Sequence, residues 1–230
     1  MAGRSDRTAK GKPKVREPAE PDLPEELTTA ELPRDDLDDS SVHLTLAFDG
    51  LDLSDRDAAG AEIDQCRYEN VNLSHSRLRR ALIRDAEFRR CDLANLRVRD
   101  SSMARTAVSG SRMTGLSWLN SGMRDVSFTD CRMDLSAFAA SKFNDVVFAA
   151  CRMEQADFTD ADLSGARFED CVLTGAQFSG ARMAGTRFSR CELTGINGVT
   201  SLRGAIITSG DAMTLAFTLA GALGIVIEDD

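Results

Sequence analysis

Ala156-Asp157-Phe158-Thr159-Asp160-Ala161-Asp162-Leu163-Ser164-Gly165-Ala166-Arg167-Phe168 restarts every five residues: a small residue, a polar one, a large apolar centre, then two polar or small residues. The same phase runs back to Ile63 and on to Leu193, and all 27 centres in that span are large and apolar. With 42% hydrophobic residues in the chain, chance would produce such a run with a probability of roughly 10⁻¹⁰. Ala58, Leu53 and Phe48 carry the phase further back and bring the total to thirty. Two residues before each centre lies a second, smaller set, including Cys66, Val71, Ala81, Cys91, Ala156 and Ala161. Two residues after it, Gly, Asn or Asp fills 20 of the 30 places, and these residues tolerate tight or left-handed backbone. Neither a helical nor a simple strand period fits thirty steps of five. Each pentapeptide is therefore one short side with two inward residues and a corner, and a square coil closes after twenty residues.

Val71-Asn72-Leu73, Cys91-Asp92-Leu93, Ala156-Asp157-Phe158 and Ala161-Asp162-Leu163 resemble the repeats of the pentapeptide-repeat family over about residues 46–195. The resemblance implies an all-β fold, a right-handed quadrilateral parallel β-helix. Arg112, Ser117, Gly122 and Arg132 depart from the family's Asp/Asn before the centre, and Met centres are common, but the inward positions are undisturbed. Spacing by twenty stacks Phe48, Tyr68, Phe88, Val108, Phe128, Phe148, Phe168 and Phe188 on one face, and Leu53, Leu73, Leu93, Met113, Met133, Met153, Leu173 and Leu193 on the next. Leu73, Phe88, Leu93, Phe128, Phe148, Phe158, Leu163, Phe168 and Leu193 are the clearest structural core centres. Thirty pentapeptides make 7.5 coils, a rod roughly 36 Å long at the sheet spacing.

Three segments follow. Residues 1–40 are Pro-containing and charge-blocked, with +5 over residues 1–16 and −9 over residues 17–40. They hold too little apolar surface to offset ordering entropy, so a disordered tail is expected. Residues 41–207 are the β-helix, opened by a capping strand in which Val42, Leu44 and Leu46 alternate with polar neighbours. Residues 208–230 form a cap, with Asp211 as N-cap of a helix over about 212–222, an end near Gly224 and a short strand at Ile225-Val226-Ile227. Met213, Leu215, Phe217, Leu219 and Leu223 exceed what a one-sided cap needs, and the resemblance implies that such an element forms a homodimer. The longest uncharged apolar stretch, Ala212 to Ile227, is 16 residues, short of the roughly 20 that a membrane span needs. No apolar h-region marks the N-terminus, so the chain reads as soluble and cytoplasmic, with no membrane partner.

The chemistry-bearing residues mostly point inward. Cys66, Cys91, Cys131, Cys151, Cys171 and Cys191 all fall two residues before a centre. There they should run parallel about 4.8 Å apart, as buried hydrophobes and not as metal ligands or disulfides. His43 and His75 lie in no triad-like spacing, and no Gly-rich phosphate loop is present. The expectation is no catalytic residue, no metal, no cofactor and no enzyme. The candidate interaction surface is the outward charge: Asp92, Asp134 and Glu154 with Arg112, Arg132 and Arg152 on the Leu/Met face, and Arg77 and Arg97 on the face centred on Leu78 and Trp118. The primary reading is a non-enzymatic rod that binds a protein partner. The resemblance implies an alternative, a DNA mimic that modulates DNA gyrase or another type II topoisomerase and protects it from poisons. Duplex DNA of 36 Å would carry about 21 charges, whereas residues 41–230 carry a net −5. A second alternative is nucleic-acid binding by the basic tail and the arginines between residues 77 and 112, which the overall −9 charge argues against.

Overall fold

The computed structural model describes residues 16–226 and 228. The chain winds as a right-handed four-sided parallel β-helix. Along one side ten short strands stack in parallel, from Thr28–Thr29 to Ile206–Ile207. Within the repeat every pairing is offset by twenty residues: Phe48 lies beside Tyr68, Tyr68 beside Phe88, Phe88 beside Val108, and Phe128 beside Phe148. The Leu/Met side is held by single bridges in the same register, Asp52 to Asn72 to Asp92 to Arg112 and onward. The rod makes about nine turns, not 7.5, because both ends extend past the recognisable repeat. Its length is roughly 43 Å at the sheet spacing.

The corners explain the period. All thirty residues two places after a centre, from Gly50 to Gly195, have positive φ. This left-handed conformation costs an ordinary L-residue roughly 1–2 kcal/mol. Among these thirty there is no Val, Ile, Thr, Phe, Tyr or Trp, the side chains that the left-handed region tolerates least. Where Gly, Asn or Asp is missing the corner is filled by side chains that do not branch at Cβ, such as Gln65, Arg105, Leu135 and Ala140.

The interior is packed in columns. Phe48, Tyr68 and Phe88 stack with centroids 4.4 and 4.8 Å apart, and Phe128, Phe148, Phe168 and Phe188 at 5.0 Å. A second column, Phe138, Phe158 and Phe178, meets the first edge-on, as with Phe158 against Phe168 at 85°. All nine core centres named above are buried. Val108 interrupts the aromatic column, and an apolar cavity of about 30 Å³ lies there, bounded by Phe88, Val108, Trp118 and Phe128 among others.

Both ends differ from the sequence expectation. Residues 1–15 of the expected disordered tail lie outside the described residues, but residues 16–40 are not a free tail. They run along the rod, pair Thr28 and Thr29 with Leu46 and Ala47, and bury Ala30 and Leu37 on the first coil. Counting apolar residues missed this because the segment is held mainly through hydrogen bonds and ion pairs. Val42 and Leu44 are exposed while His43 is buried between them, the reverse of the expected alternation. Position 43 is one more step of five back from Phe48, and the pentapeptide phase decides the inward face.

At the other end Gly198 turns the chain out of register; a Cβ there would meet the Ser179 backbone nitrogen at 2.3 Å. Ile206 and Ile207 then pair with Arg187 and Phe188, 19 residues back. The helix spans Ser209–Ala222 and its N-cap is Thr208, not Asp211. Asp211 instead accepts hydrogen bonds from the backbone N–H groups of Arg190 (3.0 Å) and Cys191 (2.9 Å) and from the Thr208 hydroxyl (2.6 Å). One buried carboxylate thus closes the last coil and steadies the helix start. The helix ends at Gly224 in a Schellman motif, with Ile225 N–H donating to Ala220 O at 2.8 Å and Gly224 N–H to Gly221 O at 3.1 Å. Ile225 and Val226 form no strand, and Ile227 lies outside the described residues.

Corner strain gives a direct test. Leu135 sits at φ 60° and is 59% exposed. Leu135→Gly is expected to stabilise the rod by about 1 kcal/mol in urea unfolding, and Leu135→Val to destabilise it.

Candidate interaction surface

Coil stacking brings outward side chains twenty residues apart into contact, and charged residues exploit it. Arg112 reaches Asp92 with two hydrogen bonds, at 3.1 and 2.8 Å. Arg132 approaches Asp134 (3.8 Å), and Arg152 bridges Asp134 (3.9 Å) and Glu154 (2.6 Å). Six of the expected surface residues therefore form one ladder on the Leu/Met face. Burial works against the charge of Asp92, but the Arg112 guanidinium outweighs it and holds the carboxyl below its usual range. On the adjacent face Arg77 and Arg79 share Asp57 at 3.8 and 3.2 Å. Arg97 stacks directly on Arg77 and, among the described residues, forms no ion pair.

The arginine-rich band is mostly neutralised. Of the ten arginines between residues 77 and 112, eight pair with an acid: Arg77, Arg79, Arg84, Arg89, Arg90, Arg99, Arg105 and Arg112. Those with both partners exposed, such as Arg79 with Asp57 and Arg99 with Asp100, add about 0.2–1 kcal/mol each. The pairings leave little free positive charge for a phosphate backbone.

The interior holds the nucleophiles and the buried histidine in structural roles. The Cys131, Cys151, Cys171 and Cys191 thiols donate to the carbonyls of Val108, Phe128, Phe148 and Phe168 in the preceding coil, at 3.3–3.6 Å. All six cysteines are buried and unpaired. Burial pushes the Cys66 thiol up and the Cys91 thiol up to about 11, which disfavours the reactive thiolate at both positions. The His43 ring lies between Tyr68 OH (2.8 Å from Nδ1) and Asp36 O (3.1 Å from Nε2). A carbonyl can only accept, so Nε2 carries the proton and Nδ1 accepts from the tyrosine hydroxyl. Among the described residues no group of three or more His, Cys, Asp or Glu converges as a metal site.

A second surface was not expected. Residues 16–27 lie against a corner of the rod where Asp85, Arg105, Asp125 and Asp145 stack one coil apart. Arg16 pairs with Asp125 and Asp145, both at 3.1 Å. Glu17 takes both terminal nitrogens of Arg167, one at 2.7 Å. Ala19 N–H donates to Asp125 Oδ1 at 3.1 Å, and Asp22 N–H to Asp85 Oδ1 at 3.0 Å. The Gln65 side chain closes the far end by donating to Asp22 O at 3.1 Å. Burial opposes the charge of Asp85, but Arg105 and the Asp22 amide keep its carboxyl below the usual range. Arg167 and Val147 occupy outward repeat positions and are nevertheless buried. The one hint in the sequence was the recurrence of Asp at 85, 125 and 145 in a single corner phase.

The C-terminal helix divides the expected dimer contacts. Leu215 is buried against the rod and unavailable to a partner. Met213, Phe217, Leu219 and Leu223 are exposed, together with Ile225 and Val226. No helix among the described residues is long and apolar enough to cross a membrane.

Known proteins share this repeat. The family described as pentapeptide repeat region matches residues 121–197, and that described as pentapeptide repeats, in eight copies, matches residues 69–105. The chain belongs to the pentapeptide-repeat family. Among solved structures it is similar to a trypsin-treated variant of QnrB1, a plasmid-mediated fluoroquinolone resistance protein, at 17% identity and a TM-score of 0.41, over 80% of this chain and 99% of that one. It is also similar to HetL, a pentapeptide repeat protein involved in heterocyst differentiation regulation from the cyanobacterium Nostoc sp. strain PCC 7120, at 15% identity and a TM-score of 0.42, over 69% and 89%. No curated protein matches the chain.

His43 gives this region a pH signature. Burial lowers its proton affinity in the fold, so below its unfolded pKa the unfolded chain takes a proton that the native ring refuses. Stability is therefore unaffected above that value and falls as the pH drops through it. Between about pH 7.5 and 5.5 the expected loss is at most about 1.4 kcal/mol in urea unfolding, and His43→Gln should remove most of this slope.

Proposed function

We propose that this protein is a non-catalytic interaction rod that binds a protein partner through its outward charge ladders. The observation that carries this reading is the fixed register itself. The β-helix holds Asp92, Arg112, Arg132, Asp134, Arg152 and Glu154 in a line on a stiff scaffold, while the six cysteines and His43 are committed to internal hydrogen bonds. A rigid row of this kind loses little side-chain entropy on binding, and complementary charges set specificity and encounter rate.

One observation favours the narrower reading of a DNA mimic directed at a type II topoisomerase. Residues 41–226 carry a net charge of only −2, but Glu17, Glu20, Asp22, Glu25 and Glu26 are exposed along the docked N-terminal segment. That segment adds an acidic stripe which the repeats lack. A supercoiling assay with DNA gyrase, with and without a fluoroquinolone, tests this reading. Micromolar protein is expected to inhibit supercoiling or reduce drug-stabilised cleavage, and replacing Glu17, Glu20, Glu25 and Glu26 with Gln should weaken the effect. No effect of the wild-type protein leaves the broader interaction reading and removes this one.

The exposed face of the C-terminal helix fits a second copy of the chain. Its apolar residues Met213, Phe217 and Leu223 are 64–76% exposed, and isolated patches of this kind usually mark contact sites. Sedimentation should show a dimer that Phe217→Asp converts to a monomer with the rod still folded. A wild-type monomer at high concentration would rule the dimer out.

A further inference from the structure

Residues 16–27 carry prolines at every third position: Pro18, Pro21 and Pro24. Each proline fixes its own φ near the polyproline II value, and each biases the residue before it, here Glu17, Glu20 and Leu23, toward the same extended region. Within residues 17–24 only Ala19 and Asp22 escape both restraints. These two supply the backbone N–H groups that bond to Asp125 and Asp85.

The spacing has a geometric reason. A polyproline II segment repeats every three residues and advances about 9.3 Å per repeat. Asp85 and Asp125 lie two coils apart, about 9.6 Å at the sheet spacing. Three residues of the segment therefore match two coils of the rod, and Arg16, Ala19 and Asp22, at intervals of three, face the same side. All three meet the acidic corner. Pro18, Ala19, Pro21, Leu23 and Pro24 are half-buried, while Glu17, Glu20 and Asp22 stay exposed. At one end of the track Arg167, its side chain only 8% exposed, is held by Glu17.

We propose that this corner of the rod, Asp85, Asp125, Asp145 and Arg167, is a docking track for an extended, proline-spaced peptide, and that residues 16–27 are an intramolecular strap occupying it. A partner segment of the same chemistry, with a proline at every third residue, free N–H groups between them and an Arg-Glu pair at its N-terminal end, takes the track when the strap leaves. The register of the β-helix is the specificity element: only a segment that advances three residues per two coils presents its donors to both carboxylates. Each of the ion pairs that hold the strap at its N-terminal end keeps its strap-side partner, Arg16 or Glu17, exposed to solvent, so raised ionic strength loosens it. This inference rests on the reading of the rod as an interaction module, and its test needs no natural partner.

The test uses the full chain with Arg16→Glu and Glu17→Arg, which reverses the strap's charges and leaves the rod untouched. Hydrogen exchange at the Ala19 and Asp22 amides should accelerate at least about tenfold, and a fluorescent peptide of wild-type residues 16–27 should bind this chain at least about tenfold more tightly than it binds the wild type, as read by fluorescence anisotropy. The same peptide with Pro18→Gly and Pro21→Gly should lose most of that affinity, and added salt should weaken binding. Unchanged amide exchange in the charge-reversed chain would show that these contacts do not hold the strap. Failure of the peptide to bind, or equal binding of the glycine peptide, would show that there is no polyproline track. Either result overturns the proposal, while the interaction reading of the Leu/Met face would stand.

Discussion

Every fifth residue of this chain must enter the left-handed region, and the remaining architecture depends on that constraint. Thirty consecutive corners from Gly50 to Gly195 satisfy it. A corner every five residues fixes the coil at twenty, and a coil of twenty places residue i beside residue i+20 at the strand spacing. The aromatic column, the thiol ladder and the charge ladders are three readouts of the same repeat. Replacing one centre leaves a local void, as at Val108. Inserting or deleting one residue would shift every side chain beyond it to another position in the coil, which is why the repeat carries no insertion over thirty units.

A solenoid has no internal reason to stop, and its two ends must each satisfy a full layer of strand edges. The C-terminal end uses one carboxylate. Asp211 sits where the next coil would begin and receives the N–H groups of Arg190 and Cys191. Within the rod a serine from the next coil plays a similar part, as when Ser111 accepts from the Cys91 N–H at 3.0 Å. The N-terminal end uses a turn of chain that departs from the repeat: Ala30 and Leu37 cover the core, and His43 takes a centre position with both ring nitrogens bonded. A polar ring is tolerated at the end of an apolar column because Tyr68 and the Asp36 carbonyl are within reach.

The repeat was legible in the sequence because its signal is redundant. Thirty centres, their inward neighbours and their corners all report the same phase, so the fold, the burial of Cys131 through Cys191 and the faces of Asp92, Arg112 and Arg152 followed from it. The ends were not legible, because each depends on a few residues with no repetition behind them. His43 looked polar and outward beside Val42 and Leu44, and only the extended phase makes it inward. Asp211 has the side chain of an N-cap, yet the last coil's unsatisfied amides claim that carboxylate and Thr208 caps the helix. Residues 16–27 are poor in apolar side chains. Their prolines lower the entropy that ordering must overcome, and a row of fixed acceptors on the rod supplies the contacts that composition does not reveal.

The electrostatic character of the rod then follows from where its charges stack. Coil register lets an acid and an arginine one coil apart neutralise each other, as Asp85 and Arg105 or Asp170 and Arg190 do, so residues 41–226 are nearly neutral at −2. The surplus acid lies elsewhere, in residues 17–40 with a net −9. Part of that surplus is laid along the rod through Arg16 and Glu17, whose partners Asp125, Asp145 and Arg167 belong to three successive coils. The field that a partner meets is therefore not a property of the β-helix alone. With the strap seated, one corner carries a row of carboxylates over neutral ladders. With it displaced, Asp125 and Asp145 lose their Arg16 partner and Arg167 loses Glu17, so the corner itself becomes charged and available. The same residues that make the rod look electrostatically bland in sequence make its surface depend on a short peptide in its own N-terminal region.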